Sequence, residues 1–135
     1  MRSFEFISHT AEAGIRVRAG SLPELYRAAL EGVAEWLKPG LARTVERREQ
    51  MVVEAAMPET LLVDFLIDVL TRSQIERVVF FDLELNRLEA QRAECVLLGR
   101  EVEDFDDDIK AITYHGAGIR TDADGCYETE VIFDI

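Results

Sequence analysis

The sequence predicts a single α+β domain over residues 1–135, a two-layer sandwich with two helices packed on a largely antiparallel or mixed β-sheet. Three observations carry that expectation. Two stretches repeat their apolar residues at intervals of three and four, the period of a helix buried on one face. Several other stretches alternate apolar and polar residues, as half-buried strands do. The elements follow one another as ββαβαβββββ with no Pro/Gly/Ser-rich linker, internal repeat or low-complexity tract, so all of them share one core. A length of 135 residues, 48% of them hydrophobic and 31% charged, is ordinary for one such domain.

Residues 4–9 alternate and form the first strand. Ile15, Val17 and Ala19 alternate with Arg16 and Arg18 to form the second. Ser21-Leu22-Pro23-Glu24 then reads as a helix start: Ser21 is the N-cap, Glu24 its capping-box partner, and Pro23 falls in the first turn. The stripe Leu22, Leu25, Tyr26, Ala29, Val33, Trp36 and Leu37 faces the core, and Pro39-Gly40 stops the helix. Residues 44–56 read as a strand with a charged approach. Pro58 opens a second helix, whose Leu61, Leu62, Phe65, Leu66, Val69 and Leu70 keep helical spacing. Residues 78–88 and 93–100 are strands of a meander. The acidic stretch 101–108 is a solvated loop, because like charges at that density repel and extend the chain. Residues 109–115 and 119–121 are short strands. Asp122-Ala123-Asp124-Gly125 is a hairpin turn, after which Tyr127, Thr129, Val131, Phe133 and Ile135 alternate.

Charge narrows the function. Asp plus Glu number 27 against 15 Lys plus Arg, a net of −12. Nucleic-acid affinity comes largely from phosphates neutralised by Lys and Arg. The chain is therefore expected to bind neither RNA nor an anionic membrane tightly by itself, and to suit a cation or a basic protein surface. No apolar run approaches the roughly 20 residues of a membrane span. The alternating N-terminus lacks a signal-peptide core, so the expected location is the cytoplasm. Cys95 and Cys126 belong to no CxxC pair and read as packed thiols.

Familiar catalytic signatures are missing. There is no phosphate loop, Gly116-Ala117-Gly118 opens no helix, and no nucleophile-elbow serine occurs. Nothing in their spacing favours a Cys126–His115 dyad over a packed thiol. Asp104, Asp106 and Asp108 have the spacing that begins a calcium loop, but Ile109 stands where that loop needs Gly and His115 where it needs Glu. Asp64 and Asp68 share the polar side of the second helix, with Arg72 one turn beyond Asp68, and read as a solvated face.

Two places differ. An alternating strand that runs out at Asp134-Ile135 sets the Asp134 side chain beside the α-carboxylate of Ile135. Two hard oxygen anions so close are costly without a cation between them. Glu12 lies in a polar turn after the first strand and is able to complete an oxygen-ligand site. The alternative is an ordinary turn and a frayed terminus.

Four segments carry a resemblance. Phe6-Ile7-Ser8-His9-Thr10-Ala11-Glu12-Ala13-Gly14-Ile15, Leu61-Leu62-Val63-Asp64-Phe65-Leu66, Lys110-Ala111-Ile112-Thr113-Tyr114-His115-Gly116 and Val131-Ile132-Phe133-Asp134-Ile135 resemble, in order, the motifs of the archease family. Ser8 and Glu12 stand where the family usually has Asp. The resemblance implies a two-layer α+β domain with no catalysis of its own. It implies a partner, the RtcB-type RNA ligase of tRNA splicing and RNA repair, whose guanylylation and multiple turnover such proteins promote. It also implies a divalent metal ion, calcium first and magnesium or manganese as alternatives, held by Glu12, Asp134 and the terminal carboxylate of Ile135. Two rivals remain: a metal-assisted phosphoester hydrolase using the same carboxylates, for which His9 is the nearest candidate base in sequence and a buried structural histidine the favoured reading of it, and a chaperone-like interaction module without metal.

Overall fold

Ser21 shows why the first helix begins where it does. Its backbone is extended and its Oγ accepts a hydrogen bond from the Glu24 amide at 3.4 Å, while Pro23 sits in the first turn, where no amide is needed. The computed structural model of the protein describes residues 1–8, 12–113 and 118–135; the expectations for His9 and His115 lie outside them. In chain order the elements are β1 (Arg2–Ser8), β2 (Ala13–Ala19), α1 (Leu22–Leu37), β3 (Arg47–Glu54), α2 (Leu61–Glu76), β4 (Val78–Leu88), β5 (Arg92–Glu101), β6 (Ala111–Thr113), β7 (Arg120–Thr121) and β8 (Tyr127–Asp134). The order is the one expected. Pro58 opens a short 3₁₀ turn, Pro58–Thr60, from which α2 continues, and α2 stops at Arg77, whose φ of 56° is left-handed.

The α+β class holds, with every strand pair antiparallel. The strands divide between two sheets rather than forming one. The first has the order β1-β2-β8-β6, with β7 also on β8; the second is β3-β5-β4. The helices share the space the two sheets leave: α1 packs on β1 and β2 of one sheet and β4 of the other, and α2 on β3, β4 and β6. One continuous core results. Phe65, Phe80 and Phe133 are fully buried in it, and Tyr26 meets Phe65 edge-on with ring centroids 5.3 Å apart. In α1 the stripe Leu25, Tyr26, Ala29, Val33 and Leu37 is buried, with Leu22 and Trp36 half-buried against it. All six apolar positions expected for α2 are buried.

β8, the last strand, lies inside its sheet rather than at the edge. One rung runs Ser8–Ala13–Phe133–Ile112 across four strands. The acidic loop 101–108 is solvated, as expected, and is also strapped down. Phe105 and Val102 pack on the core, the Asp106 amide donates to the Leu37 carbonyl at 2.8 Å, and Trp36 Nε1 donates to the Asp108 carbonyl at 3.3 Å.

Gly99 in β5 marks a close approach in the second sheet. A Cβ there would stand 2.7 Å from Val78 Cγ1 and 2.8 Å from both Phe80 Cδ1 and the Val79 carbonyl oxygen. Gly99→Ala is therefore expected to lower stability by about 1–3 kcal/mol. Gly118→Ala, which meets nothing within 4 Å, should stay within about 0.5 kcal/mol of the parent. Urea unfolding followed by circular dichroism measures both.

Candidate metal centre

Antiparallel pairing of β2 with β8 decides what sits at one end of the first sheet. The paired residues Ala13 and Phe133 form the last rung. Glu12 is the residue before Ala13 and Asp134 the one after Phe133, so the register carries both carboxylates to the same end of the same strand pair. Alternation separates them from the core. Ala13, Ile15 and Val17 of β2 and Thr129, Val131 and Phe133 of β8 are buried toward the helices. Asp134 belongs with Glu130 on the opposite face, where Arg16 stands opposite Glu130. Glu12 is half-buried and Asp134 exposed; Ile135 is half exposed at the chain's end. On its other side Asp134 is held by β6, where the Lys110 amide donates to the Asp134 carbonyl at 2.7 Å.

The ion pairs of the surface leave a few carboxylates out, at this end and in the loop 101–108 among other places. Every arginine in the chain has a carboxylate partner. Arg16 bridges Glu5 and Glu130, and Arg18 holds Asp122 at 2.8 Å. Arg2 takes Glu24 and Glu31, and Arg47 and Arg72 share Glu49. Glu12 and Asp134 have no ion pair among the described residues. Two neighbouring strands thus present hard oxygen donors at one end of the sheet. These donors, among the described residues, are carboxylate oxygens, which suit a hard divalent cation. Among the described residues no three His, Cys, Asp or Glu side chains gather into a metal-holding group. Of the sequence candidates, Glu12 and Asp134 contribute side-chain carboxylates there.

The other sequence candidates are dispersed. Ser8 ends β1, on the rung of Ala13 and Phe133. Asp64 lies in the first turn of α2, half-buried rather than solvated, and accepts a hydrogen bond from Thr60 Oγ1 at 3.2 Å. Val63 beside it is buried as well, so α2 exposes a narrower polar face than its periodicity implies. Asp68 pairs with Arg72 at 3.0 Å, as the spacing indicated. Cys95 is buried in β5 and Cys126 half-buried after the hairpin turn, both free. Burial pushes the Cys95 thiol up to about 11, which removes it as a nucleophile at neutral pH.

An acidic α+β domain of two antiparallel sheets and two helices defines the class of protein, with the carboxylates of Glu12 and Asp134 at one strand end. Comparison with known proteins narrows the class. The Archease protein family model matches residues 4–135, and the chain belongs to that family. Protein archease of Pyrococcus furiosus is 30% identical over 145 residues and that of Thermococcus gammatolerans 31%, each alignment covering 100% of both chains. The solution structure of a Methanobacterium thermoautotrophicum protein superposes with a TM-score of 0.73 at 26% identity, covering 98% of each chain. The crystal structure of a Thermotoga maritima archease, described as a possible chaperone, matches in fold with a TM-score of 0.69 at 20% identity, over 96% of this chain and 94% of that one.

The two thiols should be told apart by alkylation. Iodoacetamide at neutral pH is expected to label Cys126 in the native protein and to reach Cys95 only after unfolding, as peptide mass spectrometry will show.

Proposed function

We propose that this protein is a non-enzymatic, metal-binding activator of an RtcB-type RNA ligase in tRNA splicing and RNA repair. The observation that carries the reading is the pair Glu12 and Asp134, brought by strand register to one end of the first sheet with no ion pair to either among the described residues. Membership of the archease family supports the partner. In this reading Glu12, Asp134 and the α-carboxylate of Ile135 hold a divalent ion, calcium before magnesium or manganese. Hard cations of this kind bind carboxylate and water oxygens and keep positions open for a further ligand. Glu12 offers the same donor as Asp on a stem one methylene longer, so it is able to reach the ion from the turn before β2.

Electrostatics support a protein partner over RNA. Thirteen arginines share their guanidinium groups with carboxylates across the surface, from Arg2 with Glu24 to Arg120 with Glu128. Few positive charges are left to neutralise phosphates. The ligase, not the activator, holds the nucleic acid, and an acidic module suits its basic surface.

Added in catalytic amounts, the protein should raise guanylylation and turnover of the ligase, and alone it should neither join nor cleave RNA. A radiolabelled-GTP transfer assay with and without the protein measures the first. Phosphodiesterase activity of the pure protein that disappears in Glu12→Ala would replace this reading with the hydrolase.

Glu12→Gln, Asp134→Asn and a tag appended after Ile135 each remove one anionic oxygen ligand. Each should weaken calcium binding by more than the roughly tenfold that disturbing an outer-shell partner costs. Calorimetry reads this loss, and ligase activation should fall in parallel while the unfolding transition without metal stays in place. Equal calcium, magnesium and manganese binding by tagged and untagged protein would remove the terminal carboxylate from the ligand set.

A further inference from the structure

The described sheets have five outer strands, and four carry protection against pairing with another chain. β4 is interrupted by register shifts at Phe80/Asp82 and Leu85/Arg87. β6 and β7 are three and two residues long. In β1, Glu5 lies at the midpoint of the strand, so a symmetric antiparallel pairing centred there sets Glu5 against itself. Bulges, short length and opposed like charge are the usual ways an edge is kept single.

β3 has none of these. It is an outer strand of eight residues, Arg47–Glu54, without proline, glycine or bulge, in unbroken register with β5. The Ala55 amide donates to the Gln91 carbonyl on β5 at 2.9 Å. By antiparallel alternation Met51 and Val53 also point their main chains at β5, while Arg48, Gln50, Val52 and Glu54 point theirs away. The same four residues have exposed side chains, and Val52 is 48% exposed.

We infer that β3 pairs antiparallel with β3 of a second copy of this chain, about a two-fold axis at Met51, to form a continuous six-stranded sheet. The charges of the edge select this occupant. With Met51 at the axis, Arg48 stands opposite the partner's Glu54, and Gln50 opposite the partner's Val52. Each charge already has an intramolecular partner on the far side: Arg48 Nη2 binds Glu84 at 2.7 Å, and Glu54 binds Arg92. Pairing therefore extends two separate ion pairs into one ladder, Glu84–Arg48–Glu54–Arg92, with alternating sign across the junction, repeated by symmetry. No charge is left opposed to its like, and the exposed Val52 is covered. Arg72 Nη1 donates to the outward Gln50 carbonyl at 3.4 Å; that oxygen has a second lone pair for the partner's Val52 amide. The junction lies on the second sheet, whereas Glu12 and Asp134 lie at the end of the first.

Sedimentation velocity on the full chain from about 1 µM to about 1 mM tests the pairing. The parent chain should shift from monomer to dimer across that range. Arg48→Glu and Glu54→Arg should each weaken self-association about tenfold or more, since each creates two like-charge oppositions per dimer. Mixing the two variants should restore the dimer, because each chain's reversed residue then faces an opposite charge. Circular dichroism shows that each variant is folded. A parent chain that stays monomeric throughout, a dimer indifferent to either reversal, or a mixture that fails to reassociate would each overturn the inference.

Discussion

Phe133 is fully buried because β8 lies between β2 and β6, and most of the molecule follows from that placement. The strand supplies Thr129, Val131 and Phe133 to the core; of the alternate residues Asp134 is exposed and Ile132 buried. Its register fixes which residues meet at each end. At one end Tyr127 stands beside Ala19; at the other Phe133 stands beside Ala13. A slip of one residue would turn Phe133 out of the core, so packing enforces the register. The neighbourhood of Glu12 and Asp134 is thereby set by the burial of an aromatic ring rather than by any attraction between the carboxylates themselves. Trp36 of α1 meets that ring edge-on at 5.6 Å, tying the helix to the same register.

The surface shows a second regularity. A chain with a surplus of acid would repel itself if its charges were spread evenly. Here several arginines stand between carboxylates: Arg47 between Glu49, Glu76 and Glu101, Arg16 between Glu5 and Glu130. Exposed pairs of this kind contribute little stability individually. Their effect is to leave the uncompensated charge concentrated in a few places, chiefly the strand end and the loop 101–108.

Much of this was legible in the residues. The cap at Ser21 and the apolar stripes gave both helices, because capping and one-sided burial are local properties. Alternation found the strands, and Asp122 to Gly125 gave the hairpin turn, where Gly125 has a φ of 80° and its amide donates to the Asp122 carbonyl. The partition into two sheets was not legible. β3 pairs with β5 across an intervening helix and strand, and no local pattern encodes that choice of partner. The start of β3 at Arg47 rather than residue 44 has the same origin: pairing with Gly99 sets it, not composition. At the site, residue type pointed to Glu12 and Asp134, but only the register shows why residues so distant in sequence share one strand end. The half-burial of Asp64 was hidden because periodicity marks the buried stripe of a helix and is silent on how far its flanks are covered.

The interior position of β8 also bears on how the chain is made. Arg16 of β2 and its partner Glu130 are 114 residues apart. On the ribosome the hairpin of β1 and β2 emerges early, with the inner edge of β2 unpaired and Ile15 and Val17 uncovered on that side. α1 and the second sheet can assemble meanwhile, since β3, α2, β4 and β5 are contiguous in the chain. The first sheet closes only when the last strand arrives, and a pairing of such long sequence separation is slow to form. Until then β2 is an open template for any extended segment nearby, so a nascent chain stalled before residue 127 is the species most exposed to misassembly.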